Sequence, residues 1–113
     1  MRINSYDFGK IVIDGVTYTS DVILLEGRVN SSWWRREGHR LEAADLEEVV
    51  QANPEFLVIG TGHSGAMKVP QETQEFLRSK GIDFAIQKTE DACKTFNQSV
   101  QERKVAAALH LTC

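Results

Sequence analysis

The fold of this chain is decided by the segment Phe56-Leu57-Val58-Ile59-Gly60-Thr61-Gly62-His63-Ser64-Gly65, in which a short apolar run meets a glycine-rich turn. An apolar run of this length, rich in β-forming residues, is typical of a strand covered on both faces. A strand that ends in a glycine-rich turn is where α/β proteins expose backbone amides and build ligand sites. We therefore predict a buried strand at residues 56–59 and place any functional site in residues 60–65, called the glycine loop below.

Downstream of the glycine loop, helical and strand patterns alternate. Pro70 suits the first position of a helix, and Gly81 suits the left-handed residue that follows its end. The inward face of this helix is predicted to hold Thr73, Phe76 and Leu77. The pattern then predicts a strand at Ile82–Ile86, a helix with Thr89 as N-cap and Ala92, Cys93, Phe96 and Val100 along one side, and a last strand at Val105–Leu111.

Upstream of the loop, the sequence predicts a hairpin and a further helix. Asp14-Gly15 is a two-residue turn that needs positive φ, and it joins a strand at Phe8–Ile13 to one at Val16–Tyr18. Val22–Leu25 is a further apolar run, and Arg28–Trp34 is expected to be extended or irregular. From Glu42 the period becomes helical, with Leu46, Val49 and Val50 on one face, until Asn53-Pro54 ends the helix.

Together these elements predict an α/β fold. Strands that alternate with helices indicate a mostly parallel or mixed sheet covered by helices, here preceded by a β-hairpin. A length of 113 residues lies within the usual range of one domain, so we expect residues 1–113 to form a single domain with one ordinary core.

The composition of the chain argues against several classes of function. The formal net charge of −3 offers no general field for nucleic acid or anionic lipid, and no run approaches a membrane span. The two cysteines form no Cys-x-x-Cys pair, and the three histidines have no ligand spacing, so neither a metal nor a cofactor is predicted. No signal or transit pattern opens the sequence. We expect a cytoplasmic protein that binds neither nucleic acid nor membrane.

The glycine loop matches three known patterns in part. Gly60-x-Gly62-x-x-Gly65 has the letters of a dinucleotide fingerprint, but Pro70 starts the helix about five residues too late. The P-loop pattern fails because Ala66 and Met67 stand where lysine and a hydroxyl residue are needed. The segment 62–66 is similar to a nucleophile elbow, and Ser64, Asp83 and His110 follow the chain order of an α/β-hydrolase triad, which three such residues do easily by chance. No catalytic residue is therefore assigned.

Two readings of the loop remain open. One is a site for a small anionic ligand, built from free amides at Gly60, Thr61, Gly62, His63 and Ser64 beside the N-terminus of the Thr89 helix, if the two strands are neighbours. His63 or Ser64 would then supply the polar group. The other reading is structural, because glycines also allow a tight exit from a buried strand.

A second candidate surface lies in Trp33-Trp34-Arg35-Arg36-Glu37-Gly38-His39-Arg40. Tryptophan and arginine dominate the hot spots of protein interfaces. In the alternative reading, one tryptophan covers the sheet edge and Glu37 pairs with an arginine. We predict a mixture, in which one ring is buried and the rest of Trp33, Trp34, Arg35 and Arg36 forms a partner surface.

Several segments resemble one family of small proteins. They are Leu57-Val58-Ile59-Gly60-Thr61-Gly62, Trp34-Arg35 with Glu37-Gly38, Gly81-Ile82, and Thr89-x-x-Ala92-Cys93-Lys94-Thr95-Phe96-Asn97 running on to Glu102-Arg103-Lys104-Val105-Ala106-Ala107-Ala108-Leu109. The chain is similar over about its whole length to the family of unknown function that includes the adipogenesis-associated domain protein and the mitochondrial complex I assembly factors. The resemblance implies a three-layer α/β fold, with a mixed central sheet and an added N-terminal hairpin layer, and no established enzymatic activity. It supplies no catalytic residues, and we expect a prokaryotic member.

Two hypotheses of function follow from the sequence. In the first, the chain is a non-enzymatic binding module whose Trp33–Arg40 segment contacts a protein partner. In the second, it binds a small anionic metabolite, or acts as a small enzyme, through the glycine loop. A concave pocket with His63 directed inward would favour the second hypothesis, and exposed tryptophan or arginine beside a filled loop would favour the first.

Overall fold

The computed structural model describes residues 1–113 and contains two β-sheets and three α-helices. A three-stranded antiparallel sheet is formed by β1 (Ile3–Asp7), β2 (Lys10–Ile13) and β3 (Val16–Tyr18). A five-stranded sheet has the order β5-β4-β8-β6-β7, with β4 at Val22–Leu25, β5 at Arg28–Asn30, β6 at Phe56–Gly60, β7 at Asp83–Gln87 and β8 at Val105–Leu109. A 3₁₀ turn at Ala43–Leu46 leads into α1 (Glu47–Ala52), and α2 (Gln71–Ser79) and α3 (Thr89–Ser99) follow.

The five-stranded sheet is the central layer, because apolar residues are buried on both of its faces. On one face, Leu57 and Ile59 of β6 pack with Val49 of α1 and Leu77 of α2. On the other face, β6 and β8 pack with α3 and with the inner side of the three-stranded sheet, through Val58, Ala107, Leu109, Phe96 and Ile11. Strands β6, β7 and β8 are parallel, and β4 is antiparallel to β8. The predicted three-layer fold, with a mixed sheet and an added hairpin layer, is confirmed.

Local chemistry explains where most elements begin and end. Asp14 and Gly15 both have positive φ, 48° and 80°, so the predicted turn of the β2–β3 hairpin is confirmed. Gly81 follows α2 with a φ of 73°, a conformation that a residue without a Cβ adopts at little cost. Pro70 lies one position before α2, as its N-cap, so its predicted place at the first helical position was wrong by one residue.

Several predicted boundaries were wrong, among them that of the strand predicted at Phe8–Ile13, which begins only at Lys10. Strand β1 was missed, because in Ile3–Asp7 only Ile3 is buried and no apolar alternation marks the strand. The last strand ends at Leu109 rather than Leu111, since the Leu111 N–H donates to the carboxylate of Asp21. Thr89 is not the N-cap of α3: Lys88 occupies that position and Thr89 is the first helical residue.

The connecting helices change from one face of the central sheet to the other between β6 and β7. Helix α2 joins β6 to β7 on one face, and α3 joins β7 to β8 on the other. In α/β sheets ligands bind beyond the carboxyl ends of strands at such a point. Here those ends are Gly60 and Gln87, which are paired across the ladder. None of the helices combines the length and apolar character needed to cross a membrane.

Candidate functional site

The glycine loop lies at the switch point, but its backbone donors are largely used inside the protein. The Thr61 N–H donates to the carbonyl of Gln87 over 2.8 Å, and the Gly62 N–H donates to Thr89 Oγ1 over 2.9 Å. The His63 N–H donates to the carbonyl of Thr112 over 2.7 Å. The expectation that these amides are free was therefore wrong, and within the loop after β6 only Ser64 and Gly65 have amides without an acceptor in the chain.

The residues after β8 fill the space that a ligand would need. The carbonyl of Cys113 accepts hydrogen bonds from the Ala66 N–H and from Ser64 Oγ, over 2.9 and 2.7 Å. A Cβ on Gly62 would lie 2.5 Å from the carbonyl carbon of Cys113 and 2.7 Å from the carbonyl oxygen of Thr112. Gly62 is therefore required because another part of the backbone crosses it in van der Waals contact.

Thr89 connects the loop to β8. Its buried hydroxyl accepts the Gly62 N–H and donates to the carbonyl of His110 over 2.6 Å. The predicted proximity of the glycine loop and the start of α3 is thus confirmed, because β6 and β7 are neighbours. One hydroxyl thus satisfies two buried backbone groups, one on each side of this junction.

A buried polar cluster that sequence reasoning missed lies at the same edge of the sheet. Asp21 precedes β4 and His110 follows β8, and the antiparallel pairing of these strands brings the two together. His110 Nδ1 lies 2.8 Å from Asp21 Oδ2. Arg35 Nη1 lies 2.8 Å from the same carboxylate oxygen, and its side chain is only 5% exposed. We call Asp21, Arg35 and His110 the polar cluster.

Burial and hydrogen bonding act in opposite directions on the Asp21 carboxyl. Burial raises its pKa, but hydrogen bonds from His110, from the Leu111 N–H and from Arg35 together lower the pKa below its ordinary value. Asp21 is therefore ionised near neutral pH. The cluster is an ion pair with a hydrogen-bonded imidazole, and the backbone of Leu111 is fixed to it.

The position of His110 also shows that the three residues of the triad pattern do not come together. Its carboxylate partner is Asp21, whereas Asp83 begins β7, at the opposite end of the parallel strands, beside Arg103. Ser64 donates to the carbonyl of Cys113 and is not bonded to His110. Ser64, Asp83 and His110 therefore form no catalytic unit.

The tryptophan–arginine segment alternates between the inside and the surface. Trp33 is buried, and its Nε1 donates to the carbonyl of Asp45 over 3.0 Å. The Arg35 guanidinium lies 4.7 Å from the centre of the Trp33 ring. Trp34 and Arg36 point outward, and Trp34 is 78% exposed. The predicted partner surface is corrected to Trp34 and Arg36, because Trp33 and Arg35 are held in the interior.

The remaining candidates have structural surroundings. His63 is exposed and its ring lies 5.7 Å from that of Phe8, at the tip of the β1–β2 hairpin. Cys93 packs on the buried face of α3, where burial raises the pKa of its thiol to about 12. No group of three or more histidine, cysteine, aspartate or glutamate side chains is arranged to hold a metal ion.

The fold and this edge of the sheet define a class of small α/β proteins with a mixed sheet between two helical layers, one of which includes a hairpin. Residues 3–110 match the family described as "Protein of unknown function (DUF498/DUF598)", and the chain belongs to that family. The resemblance found in the sequence is thereby confirmed.

Relatives and solved structures show similarity in sequence and in fold. The chain is similar to NADH dehydrogenase [ubiquinone] 1 alpha subcomplex assembly factor 3 of Xenopus tropicalis, with 37% identity over 68 residues, which are 60% of this chain and 37% of that protein. It thus spans little more than a third of the length of that relative. A conserved hypothetical protein, PH1505 of Pyrococcus horikoshii OT3, has the same fold with a TM-score of 0.86, 23% identity and full coverage of both chains. A Bordetella parapertussis protein has a TM-score of 0.82 and 26% identity, covering 97% of this chain and 94% of its own.

Proposed function

We propose that this chain is a non-enzymatic protein-interaction module and that Trp34 and Arg36 form the centre of its partner surface. The observation that carries the proposal is the exposure of Trp34, which is 78% accessible although it lies between two buried residues. Tryptophan and arginine are among the residue types that are enriched in the hot spots of protein interfaces.

The backbone around Trp34 is held in place by its neighbours. Trp33 is bonded to the 3₁₀ turn through Asp45, and Arg35 is bonded to Asp21 and to the carbonyl of Gly38. A side chain presented from a fixed backbone loses less conformational entropy on binding than one presented from a mobile loop. A depression of about 340 Å³ beside Trp34, bordered also by Arg36 and Ala44, can receive a partner's side chain.

The family comparison supports a role in binding. The Xenopus relative is named an assembly factor, a name that describes action on other proteins. The family itself is described as one of unknown function. We carry over to this chain only the general idea of protein binding, and we place it in the cytoplasm, where its two free cysteines suit a reducing environment.

The alternative, a small anionic ligand at the glycine loop, has less support. Its residues Gly60, Thr61, Gly62, His63, Ser64 and Thr89 lie together, but most of the donors that an anion would need are already bonded. No enzymatic step is proposed.

The proposal is tested by co-purification from extracts of the source organism. Trp34→Ala and Arg36→Ala are compared with Phe8→Ala, which removes another exposed aromatic ring, 57% accessible, from the hairpin tip. We expect the first two variants to lose a specific partner and the third to retain it, with melting temperatures near that of the wild type. Retention of every partner by Trp34→Ala would refute the proposal. Arg35→Ala is unsuitable, since it would disrupt the polar cluster.

A further inference from the structure

Three shallow depressions meet on the surface that α1 and α2 share with the Trp34 segment. One, of about 340 Å³, lies beside Trp34, and another, of about 290 Å³, lies between α1 and α2 and is bordered by Val50 and Phe76. The third, of about 380 Å³, lies between the 3₁₀ turn and the start of α2. Ala44 borders all three, so the depressions adjoin one another at this residue, and together they are called the Ala44 groove below.

The centre of the Ala44 groove is bordered by small apolar residues, and larger apolar groups border its outer parts. Ala43 and Ala44 project only a methyl group from the 3₁₀ turn. Trp34 stands at one end, and Phe76 and Val50, both partly exposed, stand at the other. A row of small residues between two apolar projections accommodates a segment that has apolar side chains along one side.

The rim of the groove is acidic. Two basic side chains, Arg36 and Lys80, face five carboxylates, those of Glu42, Asp45, Glu47, Glu48 and Glu72. When Arg28 and Arg40, the ion-pair partners of Glu48 and Glu72, are counted as well, the rim keeps an excess of one negative charge. Two of these carboxylates form ion pairs, Glu48 with Arg28 and Glu72 with Arg40. Glu47 is exposed and has no basic partner.

We propose that the Ala44 groove docks an amphipathic helical segment of a partner protein, with lysine or arginine residues along the borders of its apolar face. The proposal rests on the proposed function of the Trp34 surface and names the partner's chemistry. Apolar residues three and four positions apart contact Ala44 and Phe76, and the flanking basic side chains pair with the rim. An acidic segment is repelled by the same rim, so charge selects the partner.

Site-specific photocrosslinking distinguishes this inference from the proposed function. The photoreactive residue p-benzoylphenylalanine replaces Trp34, Ala44 or, as the control, Val16, which is exposed on β3 of the other sheet. After irradiation in extract of the source organism, we expect positions 34 and 44 to crosslink to the same protein and position 16 not to do so. Mass spectrometry should place both crosslinks in one segment with helical apolar spacing and basic flanks.

The other outcomes have separate meanings. Crosslinking at 34 without crosslinking at 44, or to a segment rich in acidic residues, overturns the groove proposal and leaves the Trp34 surface in place. Failure at both positions overturns both proposals.

Charge reversal gives a second test on the identified segment. Glu47→Lys, at the exposed rim, is compared with Glu102→Lys, an exposed glutamate in the turn before β8. We expect Glu47→Lys to weaken binding about threefold to tenfold at low salt, with the difference shrinking as salt rises, and Glu102→Lys to change it by less than about twofold. Equal effects of the two substitutions, or tighter binding by Glu47→Lys, would overturn the proposal.

Discussion

The carboxylate of Asp21 lies 2.8 Å from the imidazole Nδ1 of His110, although 89 positions separate the two residues. Arg35 Nη2 lies 3.1 Å from the same nitrogen, and an arginine can only donate. Nδ1 cannot both accept from Arg35 and donate to Asp21. The shorter, charge-assisted contact assigns the proton to Nδ1, and Arg35 Nη2 then donates to the carbonyl of Gly38. The cluster therefore fixes the ends of β4 and β8 to the Trp33–Arg36 segment.

Removing the negative charge of Asp21 should destabilise the protein. Asp21→Asn leaves the buried Arg35 without its counter-ion, at a cost of about 3 kcal/mol in the free energy of unfolding. Asp83→Asn is the control, because Asp83 forms an exposed pair with Arg103 at 3.5 Å, and it should cost less than about 1 kcal/mol. Urea denaturation of both variants measures the difference. Similar losses would show that the polar cluster contributes no more than a surface pair.

The same carboxylate predicts loss of stability in acid. Its pKa in the folded protein lies below the ordinary value of 3.8, so the stabilisation is present above that pH and is lost as pH falls through the folded pKa. The gap in unfolding free energy between the wild type and Asp21→Asn should be constant from pH 7 to about pH 5 and should narrow below about pH 4. Denaturation curves across this range provide the measurement. A gap that keeps its neutral value at pH 3 would contradict the assignment.

Thr89→Val tests the junction between the glycine loop and β8. Valine has nearly the same shape, but it leaves the buried Gly62 N–H without an acceptor and the His110 carbonyl without its donor. We expect a loss of about 2 kcal/mol in unfolding free energy. Thr17→Val, at an exposed position of β3, should change stability by less than about 0.5 kcal/mol. Amide exchange at Gly62 should also become faster in Thr89→Val alone, and unchanged exchange there would count against the bond.

Gly62→Ala tests the contact with residues 112–113. Gly27 is the control, because its φ is also positive, at 79°, but a Cβ there would meet nothing within 4 Å. Alanine at 27 should cost about 1 kcal/mol from backbone strain alone. Alanine at 62 should cost at least about 2 kcal/mol more, because the backbone of Cys113 must move. Thermal denaturation of the two variants gives the comparison. Equal costs would mean that glycine is needed at position 62 only because of its positive φ.

Elements with local signals were predictable from the sequence. The Asp14-Gly15 turn, the strand predicted at 56–59 and the glycine after α2 each depend on a few adjacent residues, and each was found within one residue of the predicted position. The proximity of the glycine loop to Thr89 followed from placing two strands side by side.

The chemistry of the site depended on contacts between distant residues. Nothing near Asp21 indicates that His110 and Arg35 will surround it. The hydrogen bonds from the glycine loop to Thr112 and Cys113 join residues about 50 positions apart, and they turn an apparent ligand site into a packed junction. Trp33 and Trp34 are adjacent in the sequence, so composition alone could not decide which ring is buried.

The central claim, that a partner covers Trp34, is tested most directly by fluorine NMR. The chain has two tryptophans, so labelling with 5-fluorotryptophan gives one signal from the buried Trp33 and one from the exposed Trp34, assigned with Trp34→Phe. The partner identified by co-purification is added to saturation. The Trp34 signal should then shift, and its chemical shift should no longer change when water is replaced by deuterium oxide. The Trp33 signal should stay nearly fixed. A Trp34 signal that keeps its position and its solvent sensitivity in the saturated complex would contradict the account.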